Sequence, residues 1–194
     1  MASPAPAAGQ QAASEQANRG LEGIVVGATV MSNVDGQAGR LTIRGYSVEE
    51  LAGKATFEEV AHLLWYGELP KSDALRSLRQ QLAQDRTLPD EARAAISIAA
   101  RRMPPMDALR FVVASLTAGD ASADDVGHEA SLAHALRLVA TVPIIIATYD
   151  RLRRGLPAID QRPDLGIAAN YLYQMTGQVP KQAVVKGLDT YLVT

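Results

Sequence analysis

The chain has 194 residues, which is enough for one domain with a hydrophobic core, and its 47% hydrophobic content excludes a disordered protein. A formal net charge of −2 argues against the broad basic surface that nucleic-acid-binding proteins present. The absence of cysteine excludes disulfides, cysteine-ligated zinc and thiol nucleophiles, and it fits a reducing compartment.

Residues 1–18 are predicted to form a disordered tail, because they are rich in Ala, Pro, Gln and Ser and carry one charge, at Glu15. They lack the basic start and apolar core of a secretory signal, and they contain no arginine of the kind found in mitochondrial transit peptides. The longest strongly apolar run, residues 138–147, has about half the length that a membrane span needs. We therefore expect a soluble, cytoplasmic protein with no membrane partner.

The first structured segment is predicted to be a β-hairpin. Residues 23–33 are rich in β-branched and small apolar side chains, which favours a strand. Residues 35–39 contain two glycines and form the expected turn. Residues 40–44 then alternate polar and apolar side chains, the period of a half-buried strand.

Helical patterns begin directly after the hairpin. Ser47 is expected to cap a short helix, and Thr56 caps the next one with Glu59 three residues later, the spacing of a capping box. Gly67 and Pro70 end this second helix. Its apolar face is predicted to consist of Phe57, Val60, Ala61, Leu64 and Trp65.

Proline and glycine divide the rest of the chain into further helices. The predicted segments are 71–86, 89–102, 107–117, 126–155, 164–177 and 181–194. The centre of the longest one, residues 139–149, is apolar on nearly every face, so we expect it to be buried all round. Residues 139–146 are predicted to be the most buried helical segment. The fold class is therefore predicted to be all-α, with one short N-terminal β-hairpin.

Several strings of this sequence resemble citrate synthases and 2-methylcitrate synthases of bacteria. The strings run from GLEGI at Gly20 through a DG…G turn, RGY and ELA to TFEEVAxLLxxGELP, which ends at Pro70. Further along the chain, three more segments are similar to family segments: MPPMDALRFVVASLTAGD, LGIAANYLYQMTGQVP and KGLDTYLV. They occur in the family's order from Gly20 to Val193.

The resemblance implies a Claisen condensation of acetyl-CoA with oxaloacetate to give citrate. In the family an Asp removes a methyl proton, one His stabilises the enol, a second His polarises the ketone, and arginines hold the oxaloacetate carboxylates. Such chemistry requires preorganised donors in a site that excludes water. The family forms dimers through long helices of its large domain, so the resemblance also implies a homodimer. Acetyl-CoA is the co-substrate.

The family's catalytic strings, HADHxxNAS and GPLHG, do not occur in this sequence, and the first would begin where the sequence ends at Thr194. The resemblance therefore implies that residues 19–194 are the N-terminal part of the large helical domain, and that the catalytic His, His and Asp lie beyond Thr194. We expect no catalytic, cofactor-binding or metal-binding residue in this chain, and no activity by the chain alone.

The three histidines do not form a substitute site by sequence. His62 lies beside the apolar face of its helix and is interpreted as a packed or surface residue. His128 and His134 are six residues apart, so on a helix they point about 120° away from each other. They therefore do not make the i, i+4 pair that binds zinc.

Four other features are interpreted as structural. Arg44 is expected to form a salt bridge or a packing stem at the end of a strand, and Gly53–Lys54 lacks the upstream glycine of a P-loop. Residues 151–154 are interpreted as a solvated cationic helix end, and Trp65 and Tyr66 are expected to pack.

Two functional hypotheses follow. In the first, the chain is part of a citrate synthase-type enzyme and needs a complementing C-terminal half. In the second, it is a non-catalytic helical module for oligomerisation or partner binding. A choice between citrate and 2-methylcitrate synthesis cannot be made from this part of the family's sequence.

Overall fold

The computed structural model describes residues 27–194. The predicted tail at residues 1–18 and the start of the predicted first strand, residues 23–26, lie outside the described residues. Every element described belongs to the unit Met31–Thr194. Within it, helices predominate, as the sequence predicted.

The predicted hairpin is confirmed, with a later first strand and one additional strand. Strands β1 (Ser32–Asp35), β2 (Arg40–Ile43) and β3 (Tyr46–Ser47) form an antiparallel sheet in that order. In the β1–β2 turn the Asp35 Oδ1 atom accepts hydrogen bonds from the backbone N–H groups of residues 37 and 38. The sequence did not predict β3. A two-residue turn precedes it, in which Arg44 and Gly45 have φ values of 50° and 89°, the left-handed region used by tight hairpins.

Eight helices follow in the described chain. They are α1 (Val48–Leu51), α2 (Phe57–Tyr66), α3 (Ser72–Gln84), α4 (Asp90–Arg102), α5 (Pro105–Ser115), α6 (His128–Arg153), α7 (Ile167–Thr176) and α8 (Gln182–Val193). The predicted capping box of α2 is confirmed, since the Thr56 N–H donates to Glu59 Oε2 at 2.7 Å and the Thr56 hydroxyl accepts from Glu59 N–H. Gly67 ends α2 with a φ of 86°.

Helix α6 lies at the centre of the packing. Its residues Ile144, Ile145 and Tyr149 are buried in a cluster with apolar side chains of α4 and α5, and the Tyr149 hydroxyl donates to the Met103 carbonyl at 2.7 Å. Further towards its N-terminus, Leu136 and Ala140 pack with Leu78, Leu82 and Ile167 of α3 and α7. By length and composition α6 is long and apolar enough to cross a membrane. In the described chain it packs against α3, α4, α5 and α7.

The expectation that residues 139–149 are buried on every face is wrong. Within this range Ile146 is 37% exposed, although Ile144 and Ile145 are buried, and Leu138 just before the range is 39% exposed. Four consecutive residues of α2, Val60 to Leu63, are buried, so α6 does not contain the most buried helical segment of the described chain. One apolar face of α6 therefore has no covering element in residues 27–194.

Candidate functional site

The uncovered face of α6 forms one wall of an apolar groove. Helices α7 and α8 supply the other wall, together with Phe57 at the start of α2, and the groove encloses about 490 Å³. Every side chain that lines it is aliphatic or aromatic. The lining residues are Phe57, Leu138, Val139, Val142, Pro143, Ile146, Ile167, Ala168, Tyr171, Leu188, Tyr191 and Leu192.

The rim of this groove is unusually exposed for apolar residues. Tyr191 of α8 is 76% exposed, and Leu192 beside it is 41% exposed. Soluble proteins seldom leave a continuous apolar surface open to water unless it binds a partner or a ligand. The groove is therefore the principal candidate interaction site of residues 31–194. Its lining has no titratable group except the two tyrosines, so it can bind an apolar partner and has no acid or base of its own for catalysis near neutral pH.

His62 is a structural residue, as its sequence position suggested. Its side chain is buried, and Nδ1 lies 2.9 Å from the Glu68 carbonyl oxygen. Since a carbonyl only accepts, Nδ1 carries the proton that it donates. The imidazole ring also packs against Tyr66, with 4.5 Å between ring centroids. His62 thereby fixes the chain after α2.

The other two histidines lie apart. His128 is exposed as the first residue of α6, whereas His134 Nε2 lies 3.2 Å from the Ser122 hydroxyl. Ser122 Oγ in turn donates to Asp120 Oδ1 at 2.7 Å, and Arg137 Nη1 donates to Asp120 Oδ2 at 2.7 Å. These groups tie the acidic loop to α6, and the sequence patterns did not indicate this cluster.

The cluster does not have the geometry of a nucleophilic triad. The serine hydroxyl donates its proton to the carboxylate, whereas an activated serine gives it to an imidazole. Hydrogen bonds from Ser122, followed by the charges of Arg137 and His134, hold the pKa of Asp120 below its usual range. Asp120 therefore acts as an ionised anchor. No group of three or more His, Asp or Glu residues with metal-binding geometry exists in residues 27–194.

The remaining sequence candidates have structural contacts. Arg44 Nη2 donates to the Leu64 carbonyl at 3.0 Å and so ties the sheet to α2, and Lys54 Nζ donates to the Glu49 carbonyl at 3.1 Å. Trp65 packs, as expected, against the apolar cluster that contains Leu82 and Leu136. Tyr66 packs against the His62 ring and is 49% exposed. For Arg151 the prediction of a solvated residue is wrong: it is buried, and it donates to the carbonyls of Pro157 and Met175.

Sequence reasoning missed a buried carboxylate at the start of α7. Glu58 is 3% exposed, and its Oε1 accepts a hydrogen bond of 2.7 Å from the N–H of Ile167, the first residue of α7. This contact begins α7 at Ile167, three residues later than predicted. An unpaired N–H at a helix start needs such an acceptor. Nothing in the local sequence signals it, because the partners lie 109 residues apart.

Asp189 of α8 provides a similar acceptor for α2. Its Oδ1 lies 3.2 Å from the backbone nitrogen of Phe57, the first residue of α2. Burial raises the pKa of Asp189, and the Phe57 hydrogen bond lowers it, while the charges of Glu58 and Glu59 raise it further. The carboxylate therefore ionises less readily in the folded chain than in the unfolded one.

Replacing Asp189 with Asn should raise the free energy of unfolding relative to wild type, and this difference should grow as pH rises. A raised folded-state pKa means that wild-type stability is highest below the unfolded pKa of about 3.9 and falls as the pH rises through the folded pKa. Asn keeps an oxygen for the Phe57 N–H and does not ionise. Urea unfolding from about pH 4 to about pH 7 should show the variant's advantage growing with pH. An advantage that shrinks over this range would contradict the raised pKa.

Comparison with known proteins places the chain among helical enzymes of one family. The family model described as citrate synthase, C-terminal domain, matches residues 20–194. This chain belongs to the citrate synthase family. The match covers the same part of the sequence as the motif resemblance, from Gly20 onward.

Individual relatives agree with this assignment. The chain is 39% identical to a citrate synthase of Haloferax volcanii, over 93% of this chain and 48% of that protein. It is 38% identical to a 2-methylcitrate synthase of Mycobacterium tuberculosis, over 90% of this chain and 44% of that protein. The crystal structure of citrate synthase from Pyrobaculum aerophilum superposes with a TM-score of 0.81 and 36% identity, over 90% of this chain and 46% of that one. The chain spans about half the length of the curated relatives that it matches.

Proposed function

We propose that this chain supplies about half of the large helical domain of a citrate synthase-type enzyme. Together with the other half of the fold, it takes part in the condensation of acetyl-CoA with oxaloacetate to citrate. The observation that carries the proposal is the family match over residues 20–194, which spans less than half of each of the full-length relatives cited above. Both acetyl-CoA and oxaloacetate are substrates of the assembled enzyme, which we place in the cytoplasm.

The apolar groove supports a role for a second polypeptide segment. Its lining of twelve aliphatic and aromatic residues would be covered when the remainder of the fold packs on α6 and α8. Burial of apolar surface stabilises such an assembly by about 25 cal/mol per Å². The end of the groove is formed by α8, whose sequence KGLDTYLV resembles the family helix that leads into the first catalytic string.

The inventory of acid–base groups supports inactivity of the chain alone. The condensation needs a base for the methyl proton, a donor for the enolate oxygen and an acid for the ketone, all converging on the substrates. His62 is buried and bonded to the Glu68 carbonyl, and His134 is engaged with Ser122. His128 lies exposed at the start of α6. The three imidazoles therefore have different partners and surroundings.

A thiol-release assay tests the proposal. The purified chain, given acetyl-CoA and oxaloacetate, should release no CoA above background, and adding a polypeptide that carries the remaining half of the family fold should produce release. Propionyl-CoA in place of acetyl-CoA distinguishes 2-methylcitrate synthesis from citrate synthesis. Release by the chain alone, lost in a His62→Gln variant, would overturn the proposal.

A second candidate function is a non-catalytic module that associates with itself. The open groove favours this candidate, because two copies can bury each other's exposed Tyr191 and Leu192. Sedimentation equilibrium of the chain alone measures self-association. Because the family resemblance also implies a homodimer, self-association alone does not separate the two candidates. A dimer that gains no activity with the complementary half would favour the module, whereas CoA release gained with that half favours the enzyme. The source DNA downstream of the Thr194 codon also distinguishes the two candidates. An open reading frame that encodes the family's catalytic strings supports the enzyme, and the absence of those strings from the genome supports the module.

A further inference from the structure

Arg86 is a buried cation outside the groove described above. It follows α3, is 3% exposed, and its Nη1 donates to the carbonyls of Arg162 at 3.1 Å and Leu165 at 2.7 Å. These contacts hold the loop before α7. None of the ion pairs within 4.0 Å in residues 27–194 includes Arg86. Its charge is therefore buried with carbonyl dipoles and without a directly bonded carboxylate.

A cavity of about 350 Å³ lies beside Arg86, between α4, α6 and the segment 158–161. Arg86 and Gln161 both line it. In the described part of the chain, the Nε atom of Arg86 and the Oε1 atom of Gln161 are buried without a hydrogen-bond partner. A buried polar group without a hydrogen-bond partner is unfavourable, and a charged group more so. The Arg86 Nε–H on this cavity therefore lacks the acceptor that a bound ligand or water would supply.

We propose that this cavity binds a small oxyanion, of the carboxylate or inorganic phosphate type, through the Nε–H of Arg86. A guanidinium presents its N–H groups in a planar fork that matches the oxygens of carboxylates and phosphates. Rotating the Gln161 amide by 180° turns its NH₂ group to the position that Oε1 now occupies, and it then donates to the same anion. Thr148 on α6 lines the cavity and contributes a hydroxyl.

The surrounding charges are compatible with an anion. Arg93 also lines the cavity, and its Nε donates to the Leu88 carbonyl at 3.1 Å. Asp160 is the acidic residue of the lining, and it is exposed, so solvent screens its repulsion. Burial lowers the pKa of Arg86 and the charge of Glu58 raises it. The cavity has room for an anion of this size together with water molecules.

The test observes the Arg86 Nε–H directly in the full chain. ¹H–¹⁵N spectra of arginine side chains are recorded while sodium acetate, sodium phosphate or sodium chloride is added at constant ionic strength. We expect the Arg86 resonance to move with saturation for acetate or phosphate, and the one that binds more tightly identifies the class of oxyanion. Chloride has no pair of oxygens to match the guanidinium fork, so it should shift the Arg86 resonance less.

Matched variants locate the site. Gln161→Leu removes one donor and leaves the carbonyl contacts of Arg86 intact, so we expect binding about tenfold weaker. Arg76→Gln, on an exposed arginine outside the cavity, should leave binding unchanged. Arg86→Lys should remove saturable binding measured by equilibrium dialysis, and if that variant does not fold, Gln161→Leu still decides the question. An Arg86 resonance that moves with none of the probes, or binding that Gln161→Leu leaves unchanged, would overturn the proposal.

Discussion

Replacing Ile146 with Glu should abolish the activity gained with the complementary half of the fold and leave the folded chain intact. Ile146 is 37% exposed on the groove face of α6, so in the free chain a glutamate there reaches water at little cost. When a second segment covers the groove, the carboxylate is buried in an entirely apolar lining. Burying an unpaired charge costs several kcal/mol, so we expect association to weaken by about 100-fold or more.

Ile98→Glu provides the matched control. Ile98 is 53% exposed on α4, lies outside the groove lining, and receives the same substitution on a helix. Circular dichroism and urea unfolding should be nearly identical for the two variants, while CoA release with the complementary half is lost only for Ile146→Glu. Equal activity in both variants would show that the groove is not the assembly surface. If the free chain self-associates through the groove, Ile146→Glu should also make it monomeric.

Local sequence chemistry predicted most helices of this fold. Thr56 and Glu59 have the spacing of a capping box, and both hydrogen bonds of that box are present in the structure. Gly67 and Gly177 end their helices in the left-handed conformation that glycine adopts without strain. These features depend on residues within one turn of one another, so a short window of sequence contains the information.

The errors concern contacts between residues that are distant in sequence. The start of α7 depends on Glu58, which no pattern near Ile167 indicates. The centre of helix α6 is apolar on nearly every face, and periodicity cannot tell a face covered by α4 and α5 from one that lines an open groove. By sequence, Arg151 lies at a cationic helix end, but in the structure it is buried and donates hydrogen bonds to the carbonyls of Pro157 and Met175.

The candidate site was predictable only in part. The structural role of His62 followed from its position beside an apolar face, and the Glu68 contact agrees with it. The groove could not be predicted, because its lining combines residues of four helices that are spread over more than 100 positions of the chain, from Phe57 to Leu192. The absence of catalytic residues from this chain stays a prediction, which the thiol-release assay tests.

Replacing Glu58 with Ala should destabilise the chain by about 2–4 kcal/mol, because it leaves the buried Ile167 N–H without its acceptor and removes a negative charge that stabilises the buried Arg86 cation. Glu58→Gln keeps an oxygen at this position and should cost less. Glu68→Ala, on an exposed glutamate after the same helix, should change stability by no more than about 0.5 kcal/mol. Urea unfolding followed by circular dichroism measures all three values.

Gly166 provides a second test of the same contact. A Cβ atom at Gly166 would lie 2.8 Å from Glu58 Oε1, closer than Cβ atoms approach other atoms. Gly166→Ala should therefore cost about 1–3 kcal/mol in the wild-type chain, since the carboxylate must move away from the Ile167 N–H. In a Glu58→Ala background the obstructing oxygen is absent, so the same substitution should cost almost nothing. The double-mutant cycle measures this coupling, and additive effects of the two substitutions would show that Glu58 does not hold the start of α7.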